Sequence, residues 1–392
     1  MKTIPYGRQY IDSQDIRFVS RALKQDLITT GGYVKKFENK ISKFLNVKYA
    51  TVCNSGTSGL HLSLIAINLK KNDVIIMPAV NFIAVYNMAK LMNAKIFLAD
   101  VDSLTGQMTP ETLLRCIKKN KLKKIKAIVT MYLGGYPENV IEFYNIKKRF
   151  NCYLIEDACH AFGAEYEYNK KYFKIGSCKH SDIAVFSFHP VKTITTGEGG
   201  AIVTGNKKLY EKLILSRSHG IIRNKKYHWT YNIRNSEYNF RLSDINCALG
   251  LSQLKKINKF INERKNIFNF YREKLKKYFN IIDIPSYNIK NKPAFHLFII
   301  NFKNLKIKNN IKDKFLIFLK KNKIIAQYHY IPIYKFDVYG AKSNFFLENS
   351  ECYFRNTVSI PIYFGLGLNK RNIIIKKIKQ FMLKYKKIQN TL

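Results

Sequence analysis

The sequence predicts an α/β protein: a large domain built on a mostly parallel sheet, followed by a smaller α+β C-terminal domain. Three observations carry this. From Tyr49 to Thr204, short runs rich in β-branched residues alternate with helix-length segments, as in successive βαβ units. With 392 residues and 46% hydrophobic content, the chain can bury a large core. Beyond residue 253 the pattern changes to one long amphipathic segment and then a looser mixture, so the expected domains are 1–253 and 254–392.

The strands expected in the first part are Tyr49–Cys53, Val74–Met77, Lys95–Ala99, Ala127–Met131, Tyr153–Ile155, Ile183–Phe186 and Ala201–Val203. Between them lie expected helices at Thr57–Leu69, Phe82–Met92, Pro110–Lys119 and Val140–Phe150. The third opens with Thr109 as N-cap and a proline directly after it. From Leu254 to Phe279, apolar residues at 254, 257, 261, 268, 271, 275 and 278 keep helical spacing for about seven turns, a helix suited to a spine between domains. A strand at His296–Asn301, a helix at Asn310–Leu319, a strand at Ile324–Tyr328 and a basic helix after Asn369 complete the smaller domain. No internal repeat or low-complexity linker stands out.

The first eighteen residues carry charges throughout and lack an apolar h-region, and no run of eighteen or more apolar residues follows. Seven scattered cysteines show neither a C-x-x-C pair nor a zinc-ligand spacing, so no metal site is expected and the cytoplasm fits best. The formal charge of +42 invites a nucleic-acid or membrane-surface reading. Its lysines instead sit in amphipathic runs (Lys118 to Lys126, Lys255 to Lys277, Lys303 to Lys323, Lys376 to Lys387) mixed with Ile, Asn, Phe and Tyr. That reads as compositional bias with charge on solvated helix faces, and no nucleic-acid or membrane partner is expected. A basic field could still draw in a diphosphate-bearing substrate.

Three segments carry chemistry. Lys192 follows an apolar strand and a proline and precedes Thr-Gly-Glu-Gly-Gly and a second strand. A lysine between buried strands, beside glycines that admit a ligand, is placed to be desolvated and to form a Schiff base. Alone, it reads first as a surface lysine on a hairpin turn. The strand Leu154-Ile155 ends in Glu156-Asp157, and sheet ligands collect at strand carboxyl ends. An aspartate there can pair with a protonated pyridine nitrogen, and His160, on the following turn, could reach the same ring or simply pack. Asn54-Ser55-Gly56-Thr57-Ser58-Gly59 lies between a strand and a helix, where backbone amides favour an anion. A plain helix cap explains it as well, and it lacks the Walker lysine and the G-x-G-x-x-G spacing.

Together these segments resemble the DegT/StrS-type sugar aminotransferases, which share the aspartate-aminotransferase fold (fold type I of the pyridoxal-phosphate enzymes). The resemblance runs from Ile4-Pro5-Tyr6 through Thr29-Thr30-Gly31, Asn54–Ser58, Glu156–Ala161, the Lys192 run, Arg217–Gly220 and Asn239–Leu242 to Gln327–Pro332. Within the family the chain looks most like the transaminases of pseudaminic acid synthesis, which aminate C4 of a UDP-linked 4-keto-6-deoxy-N-acetyl hexosamine. The resemblance implies pyridoxal 5'-phosphate as cofactor and an amino-acid donor, with glutamate expected. It makes Lys192 the Schiff-base lysine and Asp157 the partner of the pyridine nitrogen. It puts His160 near the cofactor's phenolic oxygen and Gly56, Thr57 and Ser187 at the phosphate. Asn239 would reach the phosphate of a neighbouring subunit in a homodimer, and Phe82 would stack on the ring. Tyr6, Asp26, Leu27, Ile28, Thr29, Gly56, Gln327, Tyr328, His329 and Tyr330 would line the sugar pocket. The chain departs from the family pattern near Phe82, where it runs one residue longer after Pro78 with Val85 in place of a threonine, and at Gly32, where a proline is common.

Competing expectations are an aminotransferase for another nucleotide-linked keto sugar (dTDP-3-keto, dTDP-4-keto or a perosamine-type GDP-4-keto-6-deoxy sugar), a non-catalytic cofactor-binding regulator, and a polyanion binder. A dehydratase of the same fold would carry histidine where Lys192 stands.

Overall fold

The computed structural model describes residues 2–224, 226–227, 229–303, 310–340 and 345–389. The chain opens with α1 (Ser13–Leu23) and α2 (Gly32–Leu45). It then alternates β1 (Tyr49–Cys53), α3 (Gly56–Ala66), β2 (Val74–Pro78), α4 (Ala84–Leu91), β3 (Lys95–Ala99), α5 (Pro110–Lys119), β4 (Ala127–Met131), α6 (Val140–Phe150) and β5 (Tyr153–Asp157). A hairpin of β6 (Glu165–Tyr168) and β7 (Lys171–Lys174) precedes β8 (Ile183–Ser187), β9 (Gly200–Thr204) and α7 (Lys207–Ser216). A second hairpin, β10 (Ile221–Arg223) and β11 (Tyr231–Ile233), leads to α8 (Asp244–Leu254) and α9 (Ile257–Leu275). The remainder comprises β12 (Ile282–Asp283), β13 (Phe298–Phe302), α10 (Ile311–Lys321), α11 (Asp337–Gly340), α12 (Glu348–Asn356), β14 (Thr357–Ile360) and α13 (Leu368–Gln389).

The main sheet has seven strands in the order β1-β9-β8-β5-β4-β2-β3. All neighbours are parallel except β9, which runs antiparallel to both β1 and β8. The reason is the connection. Residues 188–199 turn straight back on the strand they leave without forming a helix, whereas a parallel return usually runs through a crossover helix. That turn carries Lys192, so the exception in the sheet holds the lysine at the edge where β5 and β8 end.

Local sequence explains the helices that frame this edge. On α5, Thr109 and Thr112 cap each other reciprocally, at 2.9 and 3.3 Å, and Pro110 takes the first helical position. Helix α3 is apolar nearly all round and largely buried, with Ser55 accepting the Ser58 N–H at 3.1 Å as its N-cap. One hydrophobic cluster joins α3, α4 and α7 to one sheet face, and another joins α2 and α8 to the opposite face. A further cluster gathers α9, α10, α13 and β12–β14, together with Ile4 from the start of the chain.

Two expectations are corrected. No single helix spans Leu254 to Phe279: the chain breaks at Lys255–Lys256 between α8 and α9, then passes into a 3-10 turn at Lys276–Tyr278. The break has no propensity signal. It follows from tertiary anchoring, because Lys256 pairs with Asp12 at 2.9 Å and with the buried Asp15 at 2.7 Å at the start of α1. Residues Ile324–Tyr328 form no strand either; Ile324 and Gln327 make isolated bridges to different partners, Ile4 and Ser359, so no ladder extends. On α9 the basic residues lie opposite the buried stripe, except Arg264. Of the basic run Lys303 to Lys323, positions 304–309 lie outside the described residues. Among the described residues no helix is long and apolar enough to cross a membrane.

Candidate active site

A cavity of about 440 Å³ opens where β1, β4, β5 and β8 end. Ser55, Gly56 and Thr57 enter it from the N-terminus of α3, Asp157, Cys159 and His160 from the turn after β5, and Ser187 and Lys192 from β8 and the following loop. Tyr6, Phe82, His329 and Tyr330 close the opposite side.

Lys192 is partly buried, and burial holds its ammonium below the ordinary lysine value. Cys159 and Asp157 oppose that shift and Arg264 reinforces it. Asp157 is 2% exposed and accepts the Cys159 backbone N–H at 3.3 Å. Burial raises its carboxyl pKa, against the pull of Cys159, Lys192 and Asn81. Among the described residues it makes no ion pair, and the Asn81 side chain lies beside it. A buried carboxylate so weakly satisfied is costly unless a cation completes it.

His160 is buried, and the Gly134 backbone N–H donates to its Nδ1 at 3.3 Å. Nδ1 is therefore unprotonated, and the Nε2 proton points toward Tyr330 Oη, 3.1 Å away. Burial, reinforced by Lys192, His296 and His329, keeps the ring neutral. His329 bonds Ser359 Oγ at 3.0 Å and is pushed down to about 3 by burial and by Lys192. Phe82 precedes α4, where Asn81 Oδ1 accepts its N–H at 2.7 Å. Its ring faces the cavity, 5.8 Å from Tyr330.

The N-terminus of α3 is pressed onto the sheet. A Cβ at Gly56 would lie 2.9 Å from Ser187 Cβ, and one at Gly200 would lie 2.7 Å from the Ser55 carbonyl. Backbone amides, Thr57 and Ser187 thus face one small volume, a seat suited to a phosphate.

The profile of the DegT/DnrJ/EryC1/StrS aminotransferase family matches residues 9–379. The chain belongs to this family. It is 36% identical over 388 residues to the UDP-4-amino-4,6-dideoxy-N-acetyl-beta-L-altrosamine transaminase of Campylobacter jejuni, covering 98% of this chain and 99% of the relative. It is 31% identical to the GDP-perosamine synthase of Escherichia coli O157:H7, over 85% and 88% of the two chains. Among solved structures, PseC of Helicobacter pylori, an aminotransferase involved in pseudoaminic acid biosynthesis, superposes with a TM-score of 0.88 at 30% identity, covering 98% and 100% of the two chains.

For a DegT/DnrJ/EryC1/StrS aminotransferase the arrangement is coherent: lysine, buried aspartate, neutral histidine and anion seat surround one cavity. The structure also separates residues that the sequence reading put together. Asp26, Leu27, Ile28 and Thr29 are exposed and do not line the cavity; Thr29 bridges Ser243, and the following Gly31 and Tyr33 amides donate to Asp244. Asn239 is exposed and bridges Ser218. Gln327 is exposed and pairs with Ser359 through its backbone, while Tyr328 turns away to pack on Phe354. Unforeseen contributors are Cys159, His296 and Arg264. His296 lies 4.1 Å from the His160 ring, and Arg264 occupies an apolar-stripe position of α9, a signal the helical spacing contained.

Proposed function

We propose that this protein transfers an amino group from an amino acid, glutamate by preference, to C4 of a UDP-linked 4-keto-6-deoxy-N-acetyl hexosamine, with pyridoxal 5'-phosphate as cofactor. The carrying observation is Lys192 facing the under-satisfied Asp157 carboxylate across one cavity. The substrate rests on the Campylobacter jejuni and Helicobacter pylori relatives and on their coverage of the whole chain.

The residues fit the cofactor. Asp157 would bind a protonated ring nitrogen and so gain the cation it lacks. The α3 amides, Thr57 and Ser187 would hold the phosphate, His160 Nε2–H would face the phenolic oxygen, and Phe82 would cover the ring and keep water from it. When bound, pyridoxal phosphate supplies a carbonyl for the amino group and an electron-withdrawing ring. Lys192 Nζ would hold it covalently, and the same amine would take the proton from the donor's α-carbon. With the keto sugar, Lys192 would deliver a proton to the substrate carbon that gains nitrogen. A base whose ammonium form is disfavoured by burial is suited to both transfers. Tyr6, His329 and Tyr330 would shape the sugar pocket.

The protein would act as a homodimer in the cytoplasm. Leu27, Ile28 and Tyr238 are exposed apolar residues next to Thr29 and Asn239 in the chain, so a second copy would cover them and receive those polar residues at its own cavity. All seven cysteines are free, which suits a reducing compartment.

An assay with glutamate and a panel of UDP-, dTDP- and GDP-linked 3-keto and 4-keto sugars tests the reading. The UDP-linked 4-keto N-acetyl sugar is expected to react fastest. Preference for a GDP-linked sugar would place the chain with the perosamine synthases instead.

A further inference from the structure

The buried stripe of α9 carries one charge, Arg264, which is 2% exposed among Phe260, Ile267, Phe268 and Tyr271. Its Nη1 donates to the Ile362 carbonyl at 2.8 Å and to the His296 carbonyl at 3.3 Å, and its Nη2 donates to the Val191 carbonyl at 3.4 Å. Its Nε has no partner, and among the described residues the arginines in ion pairs are Arg217, Arg355 and Arg371. Arg264 is thus a buried guanidinium without a counter-charge, an arrangement that costs stability and would be relieved by an apolar replacement. Burial lowers its pKa to about 10, so it remains a cation at neutral pH.

Its position shows what that cost supports. The Val191 carbonyl belongs to the peptide group that joins Val191 to Lys192, and Arg264 and Lys192 line one narrow groove behind the cavity. We propose that Arg264 is a positioning residue for Lys192: through the Val191 carbonyl it fixes the peptide from which the lysine projects and sets a buried cation behind that amine. The inference rests on the reading of Lys192 as the reacting amine.

The other groups facing the amine sharpen the argument. Asp157 and Cys159, from the turn after β5, favour the charged amine. His160, His296 and His329 are held neutral by burial, and burial also raises the Tyr330 hydroxyl. Arg8 lines the outer groove but is exposed, where solvent screens it. The fixed positive field at Lys192 therefore comes from Arg264.

The test is competitive acetylation of the full chain, freed of cofactor, from about pH 6 to about pH 11, with the Lys192 peptide quantified by mass spectrometry against surface lysines. Lys192 is expected to label at lower pH than the surface lysines. Arg264→Gln, which keeps amide donors and loses the charge, is expected to slow labelling at neutral pH about three- to tenfold, while Arg264→Lys keeps the wild-type profile. An unchanged profile in Arg264→Gln overturns the proposal. So does a wild-type Lys192 that titrates with the surface lysines, which decides the matter even if Arg264→Gln fails to fold. Because labelling needs neither cofactor nor turnover, loss of the aminotransferase reading would show separately, as an absent cofactor band with a normal labelling profile.

Discussion

Glu156 and Asp157 are adjacent on β5, and strand alternation sends them to opposite faces of the sheet. Asp157 enters the cavity; Glu156 accepts Tyr132 Oη–H at 2.8 Å and the Gly176 N–H at 3.2 Å on the other side. The sequence shows two carboxylates at a strand end, and only the register of β5 assigns each its face. Burial raises Glu156 to about 7, above its unfolded value, so the folded state binds that proton more tightly. The resulting stability is full below the unfolded carboxylate pKa and is lost as pH rises through about 7. The unfolding free energy from urea titration should therefore fall between about pH 5 and pH 7.5 by an amount on the order of 2–3 kcal/mol, and Glu156→Gln should flatten that slope. Asp157→Ala should weaken pyridoxal phosphate binding at least about tenfold, measured by equilibrium titration, because among the described residues lining the cavity Asp157 is the buried carboxylate available to a ring cation. Lys192, Asp157 and His160 were legible from residue type and position. Arg264 is visible only as a charge at an apolar-stripe position of α9, and His296 not at all, since a lone histidine inside an apolar pattern reads first as packing.

At the scale of elements, the strands of the main sheet are legible because they are short, β-branched and bounded by turns, and each expected strand there forms. What propensity cannot show is pairing. The reversal at β9 depends on how residues 188–199 fold back, and the break before α9 depends on Lys256 reaching the carboxylates of α1. The anion seat depends on close contact between α3 and β8. Gly56→Val should push a side chain into Ser187 and Cys159, reducing cofactor affinity more than about tenfold while costing about 1–3 kcal/mol in stability. Equal loss of both, read by thermal unfolding with and without cofactor, would mean that the contact serves packing alone.

For the whole molecule, fold class and family follow from motifs spread along nearly the full chain, and the comparisons agree over residues 9–379. Substrate-side residues were less legible because Asp26–Thr29 and Asn239 lie on the surface of one chain, away from its own cavity. If a second copy completes the site, mixing inactive Lys192→Ala with an inactive Asn239 variant should restore up to about a quarter of the activity through mixed dimers, whereas no recovery would oppose shared sites. The most direct measurement of the central claim is borohydride reduction of the cofactor-loaded protein followed by peptide mapping. The account predicts a stable pyridoxyl adduct on the peptide carrying Lys192 and none in Lys192→Ala. An adduct on another lysine, or none in the wild-type protein, would contradict it.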